Sequence, residues 1–435
     1  MDSILILPIN HELDATIRIP GSKSLTNRAL MIAALADGPT RLTNALFSDD
    51  SLYFANALKD LGFHIDLNLE KKEIVVTGCS GEIPVKKAEL FIGNAGTAAR
   101  FLSSFLTLGN GEYTLDGDAR MRERPIGDLI SSLTQLGANI SPLSQAHQNP
   151  IGLCPPVKIV ASGLPGGRTS VNGDISSQFL SALLMVAPYA QTPVEISVST
   201  ELNSKPYVDM TLGVMADFGI SIQRSEYQNF YVSRGSYRSL KNYVIEPDAS
   251  AASYFFAAPA ILGGKIRIEN ISLESKQGDI AFLNVLKAMG CTVHTDTNYI
   301  EVIGPCSISN LKGVDIDMRD IPDTAQTLAV IAPFASSPTH IHGIASARMK
   351  ESDRVSATCA ELTRMGVKVE EFNDGMSIYP CDKFTPAQIR TYQDHRMAMA
   401  FALMGLKISG VRIENPGCVS KTFPEYFEVL DGLRC

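Results

Sequence analysis

Helix-forming stretches rich in Ala, Leu and Met recur along the chain, and each follows a short polar cluster. The clusters are Gly21-Ser22-Lys23-Ser24, Gly93-Asn94-Ala95-Gly96-Thr97, Gly173-Asp174-Ile175-Ser176-Ser177-Gln178, Pro247-Asp248-Ala249-Ser250, Pro322-Asp323-Thr324-Ala325-Gln326 and Gln393-Asp394-His395-Arg396, at steps of 71 to 80 residues. A second landmark repeats with them, an apolar residue followed by glycine: Leu61-Gly62, Leu136-Gly137, Phe218-Gly219, Met289-Gly290 and Met365-Gly366, at steps of 71 to 82 residues. Two independent landmarks with one irregular spacing indicate six copies of one structural unit. Each copy reads as cluster, helix, strand and second helix, which is α/β layering.

In the first helix, Leu25, Ala29, Ile32, Ala33 and Ala36 form an apolar stripe at helical spacing. Ser24 can cap its start and Gly38 can end it. A short strand near Thr40 to Ala45 follows. A unit of about 75 residues is marginal alone, so the six should pack together. The polar stretch Ser233 to Lys241 falls at the midpoint and reads as a linker between two triplets.

Composition narrows the class. The chain has 435 residues, enough for two or three domains. It is 45% hydrophobic and 19% charged, which excludes a disordered or collagen-like chain. Its net charge of −8 argues against a general nucleic-acid binder, though a local basic pocket stays compatible. The eight cysteines form no CxxC, so zinc-ribbon and thioredoxin-type motifs are absent. Scattered thiols fit a reducing cytosol, and a cytoplasmic location is expected. The opening residues do not read as a signal peptide, and no apolar run reaches the ~18 residues of a membrane span.

The polar clusters place cations where a helix repels them. A helix N-terminus carries partial positive charge and free N–H groups. Lys23, Arg28, Arg100 and Arg396 nevertheless lie in or near first turns, and Lys350, Glu351 and Arg354 open the second helix of the fifth unit. Each such cation costs about 0.3–1 kcal/mol if left alone. A bound anion reverses that sign, so the pattern points to phosphate or carboxylate ligands. Arg120, Arg122 and Arg124 alternate and would point one way if extended; Lys421 sits at the end of a strand pattern.

Plainer readings compete. Capping explains Asp174, Asp248, Asp323 and Asp394 at equivalent repeat positions, and Ser176 and Ser177 could also be caps. Glu351 could simply pair with Arg354, a contribution of roughly 0.2–0.5 kcal/mol. The Arg120–Arg124 cluster could be a solvated loop. His340 and His342 alternate on a strand with no third metal ligand nearby. Gly21-Ser22-Lys23-Ser24 lacks the glycines of a Walker A loop, and no GxGxxG follows a strand. Recurrence of cations in one part of the repeat favours the anion site.

Taken in order, Pro20 to Arg28, Gly93 to Thr97 with Arg100, Arg120 to Pro125, Ser176 to Gln178, Ser204 to Tyr207, Pro322-Asp323, Lys350 to Arg354, Asp394 to Arg396 and Lys421 to Pro424 resemble the 5-enolpyruvylshikimate-3-phosphate synthase family. The likeness runs from about residue 4 to the C-terminus. It implies a two-domain enolpyruvate transferase fold of mixed α/β (α+β) class, with six βαβαββ-type repeats arranged three per domain. The N-terminal domain would be 21–241. Residues 1–20 and 242–435 would form the C-terminal domain, with the active site in the cleft between them. The family's reaction joins phosphoenolpyruvate to shikimate 3-phosphate, in chorismate and aromatic amino acid biosynthesis, and is the target of glyphosate.

The resemblance also implies residue roles. Lys23, Ser24, Arg28, Ser176, Ser177, Ser204, Tyr207, Asp323, Ser346 and Lys350 would contact shikimate 3-phosphate. Lys23, Gly96, Arg124, Gln178, Arg354, Arg396 and Lys421 would surround phosphoenolpyruvate. Asp323, Glu351 and Lys23 would be catalytic. No metal or organic cofactor, nucleic acid or membrane partner is expected, and the chain would be a monomer. Ala99 and Phe101 replace the family's usual Met and Pro, and Ser346 stands where an Asn is common. Two rivals remain. UDP-N-acetylglucosamine enolpyruvyl transferases share the fold but typically carry a cysteine in the loop that here runs from Gly117 to Pro125 without one. An inactive anion-binding scaffold would not need Asp323, Glu351 and Lys23.

Overall fold

The repeat has a physical cause at both ends of its helices. In a computed structural model, which describes residues 2–143, 148–149 and 152–434, the first helix of each unit is Lys23–Leu35, Gly96–Phe105, Ser177–Val186, Ala249–Leu262, Ala325–Ile331 and His395–Gly405. These helices carry apolar side chains on most faces because they are buried almost all round: every residue of Gly96–Phe105 and His395–Gly405 is buried. The second helices, among them Asp49–Asp60, Gly127–Gln135, Lys205–Asp217, Phe282–Ala288 and Arg354–Arg364, bury one side only.

The five closing glycines end those second helices in one way. Gly62, Gly137, Gly219, Gly290 and Gly366 have φ between +84° and +107°. The residue after each donates its N–H to a carbonyl five positions back: Phe63 to Leu58, Ala138 to Leu133, Ile220 to Met215, Cys291 to Leu286 and Val367 to Leu362. This is the Schellman arrangement, which a side chain at the left-handed position would strain. The apolar–glycine landmark is therefore a helix stop copied five times.

The sheets repeat as well. Five are four-stranded and share one plan: a leading strand runs parallel to the next, and two antiparallel strands complete the set. Tyr243–Val244 leads the sheet of Pro39–Thr43, Lys87–Phe91 leads Asn110–Asp116, and Gly167–Val171 leads Val194–Val198. Leu13–Arg18 leads Gly264–Glu269, and Asp315–Asp317 leads Thr339–His342. A three-stranded sheet completes the repeat, with Gln388–Ile389 parallel to Arg412–Glu414 and Ser3–Leu5 antiparallel beyond it, and Gln148–Asn149 and Gly152–Leu153 form a separate two-stranded pair.

The chain divides into two compact units. One is Gly21–Ile245, and the other joins Met1–Pro20 to Glu246–Cys435. Each has its own apolar core, from Leu25 to Ile245 in the first and from Ile6 to Leu433 in the second. The N-terminal strands belong to the second unit because Ser3–Leu5 and Leu13–Arg18 pair there.

The stretch 233–241 is not a linker, contrary to the expectation from its polarity. Tyr237 is fully buried and donates its hydroxyl to the Met185 carbonyl. Ser239 donates its N–H to Asp37, and Leu240 donates to Thr40. The chain leaves the first unit only after Ile245, whose N–H is held by the Thr43 carbonyl. Of the eight cysteines, Cys435 lies outside the described residues; the other seven are free thiols. Among the described residues no helix is long and apolar enough to cross a membrane.

Candidate active site

In the unit Gly21–Ile245, the buried first helices bring polar cluster residues together. Lys23 is the first residue of its helix and lies 3.2 Å from Asp50 Oδ2. Ser22, not Ser24, is the cap, accepting from the Leu25 N–H. Ser24 is thereby half-buried with its side chain released from capping. Arg28, one turn on, is only 1% exposed. Its guanidinium donates to Thr211 Oγ1 at 2.7 Å, the Ser24 carbonyl at 3.0 Å, the Tyr207 carbonyl at 3.2 Å and Ser181 Oγ at 3.5 Å. It also lies 5.4 Å from the centroid of the Phe101 ring. These hydrogen-bond partners are all neutral. Burial pushes the guanidinium pKa down to about 10, only partly opposed by Tyr207. A cation so placed gains strongly from an arriving anion.

The other cluster residues of this unit follow. Ser176 caps the Ser177–Val186 helix through the Gln178 N–H, and Gln178 Nε2 donates to Thr97 at 3.3 Å. Ser177 is buried beside them. Ser204 has φ +57° and starts the Lys205–Asp217 helix that carries Tyr207. Arg124 is extended, but Arg120 and Arg122 are not, so the three do not alternate along a strand. Met121–Glu123 is a tight 3₁₀ turn, and the arginines diverge to Glu123, Asp116 and Asn94. Arg124 is buried, with Nη1 donating to Asn94 Oδ1 at 3.0 Å. A Cβ on Gly96 would sit 2.5 Å from Arg124 Nη2. Arg100 is occupied by the Gly96 and Pro125 carbonyls, so it braces this corner.

In the other unit a carboxylate–guanidinium network forms. Arg354 starts the Arg354–Arg364 helix, which Asp353 caps. Its Nε donates to Asp394 Oδ2 at 2.8 Å, Nη1 to Asp323 Oδ1 at 3.1 Å and Nη2 to Glu351 Oε2 at 2.8 Å. Arg396 Nη2 donates to Asp323 Oδ2 at 2.7 Å. Lys421 Nζ lies 3.2 Å from Glu351 Oε1. Lys421 ends a 3₁₀ turn, Pro416–Lys421, rather than a strand. Lys350 follows the 3₁₀ turn Ala345–Met349, which contains buried Ser346.

Capping accounts for Asp248 and Asp394, which accept from the Ala251 and Arg396 N–H groups. It fails for the other two aspartates. Ser176 takes the place expected for Asp174, and Asp323 lies in a 3₁₀ turn with its carboxylate turned to the arginines. Burial alone would raise the Asp323 pKa. Arg396, Arg354 and Lys350 outweigh it, against a smaller opposing effect of Glu351, and hold the carboxyl well below the usual range. Burial likewise disfavours charge on Arg354, yet Asp394, Glu351 and Asp323 raise it.

The expectation of cations left uncompensated at helix starts needs correction. Lys23, Arg354, Arg396 and Lys421 each meet a carboxylate of the protein itself. Among the cations expected to bind ligand, Arg28 comes nearest to the original argument. Asp50, the partner of Lys23, was not singled out from sequence. Two acids in the first turn of a helix suit the dipole and give no further signal.

A pH dependence follows from Asp323. Its lowered pKa makes the ionised form stabilising above the unfolded value of about 3.9, and that stabilisation is lost as pH falls toward the folded value. Asp323→Ala should therefore be less stable than the wild type at neutral pH, with a gap that closes below about pH 4. Denaturant titrations at pH 7, 5 and 3 measure it; a gap that widened on acidification would contradict the assigned charge state.

Two comparisons decide the family. Residues 8–430 match the profile described as EPSP synthase (3-phosphoshikimate 1-carboxyvinyltransferase). The chain is 51% identical over 427 residues to the 3-phosphoshikimate 1-carboxyvinyltransferase of a Nostoc species, covering 98% of each. The chain belongs to the EPSP synthase family. A relative of the same name from a Sulfurovum species is 46% identical over 435 residues, covering 100% of this chain and 99% of that one. Among solved structures, an EPSP synthase from Acinetobacter baumannii superposes with a TM-score of 0.81 at 26% identity, covering 100% of this chain and 98% of that one. The α/β repeat fold is thus the EPSP synthase fold.

Within that family the Gly96–Arg124 approach makes a specific prediction. Gly96→Ala would push the end of a flexible arginine and leave the helix intact. We expect normal folding with a KM for phosphoenolpyruvate raised about tenfold or more, the effect of weakening one hydrogen bond to a charged group. Steady-state kinetics against both substrates checks this. An unchanged KM would count against the expected role of Arg124 toward phosphoenolpyruvate.

Proposed function

We propose that this enzyme transfers the enolpyruvyl group of phosphoenolpyruvate to the 5-hydroxyl of shikimate 3-phosphate, releasing phosphate. One observation supports the site assignment most. Asp323 and Glu351, two carboxylates with the chemistry of a proton acceptor and a proton donor, share Arg354 and are flanked by Arg396 and Lys421.

In the proposed addition, Asp323 accepts the proton of the 5-hydroxyl while its oxygen bonds to C2 of phosphoenolpyruvate. Glu351, protonated from solvent once substrate oxygens share Arg354 and Lys421, delivers that proton to the methylene carbon, and a tetrahedral ketal results. In the elimination, Glu351 removes a proton from the new methyl group, the double bond re-forms and phosphate leaves. Lys23, Arg124 and Lys421 stabilise charge on the leaving phosphate. Ser24, Arg28, Ser176, Ser177, Ser204, Tyr207, Ser346 and Lys350 hold shikimate 3-phosphate. Gly96, Gln178, Arg354 and Arg396 complete the phosphoenolpyruvate contacts.

The charge state of Asp323 gives this scheme a trigger. A carboxylate held by two arginines is a weak base. When anionic substrate oxygens share Arg354 and Arg396, those cations act less on Asp323, and its basicity rises toward the value useful for general-base catalysis. The substrate thereby activates the group that deprotonates its partner.

Phosphate release from phosphoenolpyruvate tests the reading, with shikimate 3-phosphate or UDP-N-acetylglucosamine as acceptor. Release with shikimate 3-phosphate alone is expected. Release with the sugar nucleotide alone would assign the rival transferase, and release with neither would mark an inactive scaffold.

A further inference from the structure

One buried carboxylate near this network has no place in the scheme above. Glu361 is fully inaccessible, two turns along the same helix from Arg354. Its Oε1 accepts from the Tyr392 hydroxyl at 2.9 Å and from Arg364 Nη1 at 3.1 Å. Its Oε2 accepts from the Arg390 N–H at 3.1 Å and from Arg364 Nη1 at 2.8 Å. Burying a carboxylate is costly unless its lone pairs are taken, and here four hydrogen bonds take them.

The segment so held is strained. Tyr392 and Gln393 have φ of +54° and +56°, two consecutive left-handed residues that are not glycine. Side-chain-bearing residues adopt this region reluctantly, and they persist there only when surroundings impose it. The next residue is Asp394, whose N–H is closed onto the Thr391 carbonyl at 2.8 Å. Asp394 caps the His395–Gly405 helix, fixes the Arg396 backbone, and receives Arg354 through Nε at 2.8 Å and Nη2 at 3.3 Å. The contacts close a ring: Arg354, its helix, Glu361, residues 390–392, Asp394 and back to Arg354.

We infer that Glu361 is a positioning residue for the phosphoenolpyruvate arginines: by clamping Arg390 and Tyr392 it imposes the left-handed pair that delivers Asp394, which aims Arg354 and Arg396. The Tyr392 hydroxyl, at the end of a side chain 41% exposed, is the part of the clamp that a small change can remove. The inference rests on the assignment of Arg354 and Arg396 to phosphoenolpyruvate.

The test is steady-state kinetics of the full-length enzyme against each substrate. Glu361→Gln keeps the shape but turns an acceptor into a donor facing donors. It should raise the KM for phosphoenolpyruvate about tenfold, the usual consequence of losing one hydrogen bond to a charged group, and change that for shikimate 3-phosphate less than twofold. Tyr392→Phe, which disturbs folding least, should shift the same KM in the same direction by about threefold. Glycine adopts positive φ without strain, so adding Tyr392→Gly and Gln393→Gly to Glu361→Gln should bring the KM back toward the wild-type value. Equal changes in both KM values, a fall in melting temperature with both KM values unchanged, or no recovery with the glycines would each overturn the inference. Arg396→Lys separates the two levels. If it leaves the KM for phosphoenolpyruvate unchanged, the underlying assignment fails; if it raises that KM while Glu361→Gln does not, only the role of Glu361 fails.

Discussion

Asp323→Ala and Glu351→Ala are expected to fold and to lose turnover by about 10²–10⁴-fold each, the range of a general acid–base step. Their surroundings allow this separation. Arg354 keeps Asp394 when either carboxylate is removed, and Arg396 keeps the carbonyl of residue 323, so the surrounding backbone is held in both variants. The two losses should differ in kind. Removing Asp323 deletes the proposed acceptor of the 5-hydroxyl proton and also takes a partner from Arg396 Nη2 and Arg354 Nη1, so substrate binding should hold or tighten while turnover falls. Removing Glu351 deletes the proposed proton donor to the methylene carbon, so solvent deuterium should enter the methylene only as slowly as the residual product forms. Circular dichroism, phosphate release and mass spectrometry of the product check these outcomes. Full activity in either variant would refute its role.

The second large effect concerns Arg28. Its guanidinium meets hydroxyls, carbonyls and a ring face, and burial already disfavours its charge. Arg28→Met replaces that charge by an unbranched apolar chain of similar reach. Such replacements of buried charges are often neutral or stabilising. The ligand-free variant should therefore melt at the wild-type temperature or above it. Binding of shikimate 3-phosphate should weaken about thirtyfold or more, because one partner of a buried charge pair is gone. Calorimetric titration and thermal melts measure the two quantities. A variant that melts much lower yet binds normally would make Arg28 a structural cation. Phe101 takes part in this balance, since its ring centroid lies 5.4 Å from the guanidinium carbon.

Much of the architecture was legible because it is written six times. Gly62, Gly137, Gly219, Gly290 and Gly366 mark helix ends through backbone geometry that other residues resist. Ala- and Leu-rich first helices mark burial on all sides. Local polarity misled where tertiary contacts override it. The stretch 233–241 looks like a solvent-exposed linker, yet Tyr237 and two backbone N–H groups tie it to the first unit. Ser24 looks like a cap, yet Ser22 does that work.

The site was legible as a set of residue types, less so as a charge balance. Sequence spacing places Lys23, Arg354 and Arg396 near helix starts and Lys421 at the end of a strand pattern. The Glu351–Arg354 pair, three residues apart, was readable, but the neutralising roles of Asp50, Asp323 and Asp394 were not, because those pairings join separate elements of the chain. Glu361 is invisible for the same reason: a glutamate on a helix usually faces water.

The central claim is that substrate anions take over the arginines that hold Asp323 in the ligand-free enzyme. A crystal structure of the slow Glu351→Ala variant with both substrates bound tests it most directly. The account predicts phosphoenolpyruvate oxygens within hydrogen-bond distance of Arg354 Nη1 and Arg396 Nη2, with Asp323 turned to the 5-hydroxyl of shikimate 3-phosphate. Both guanidinium groups still seated on Asp323, with substrate bound elsewhere, would contradict it.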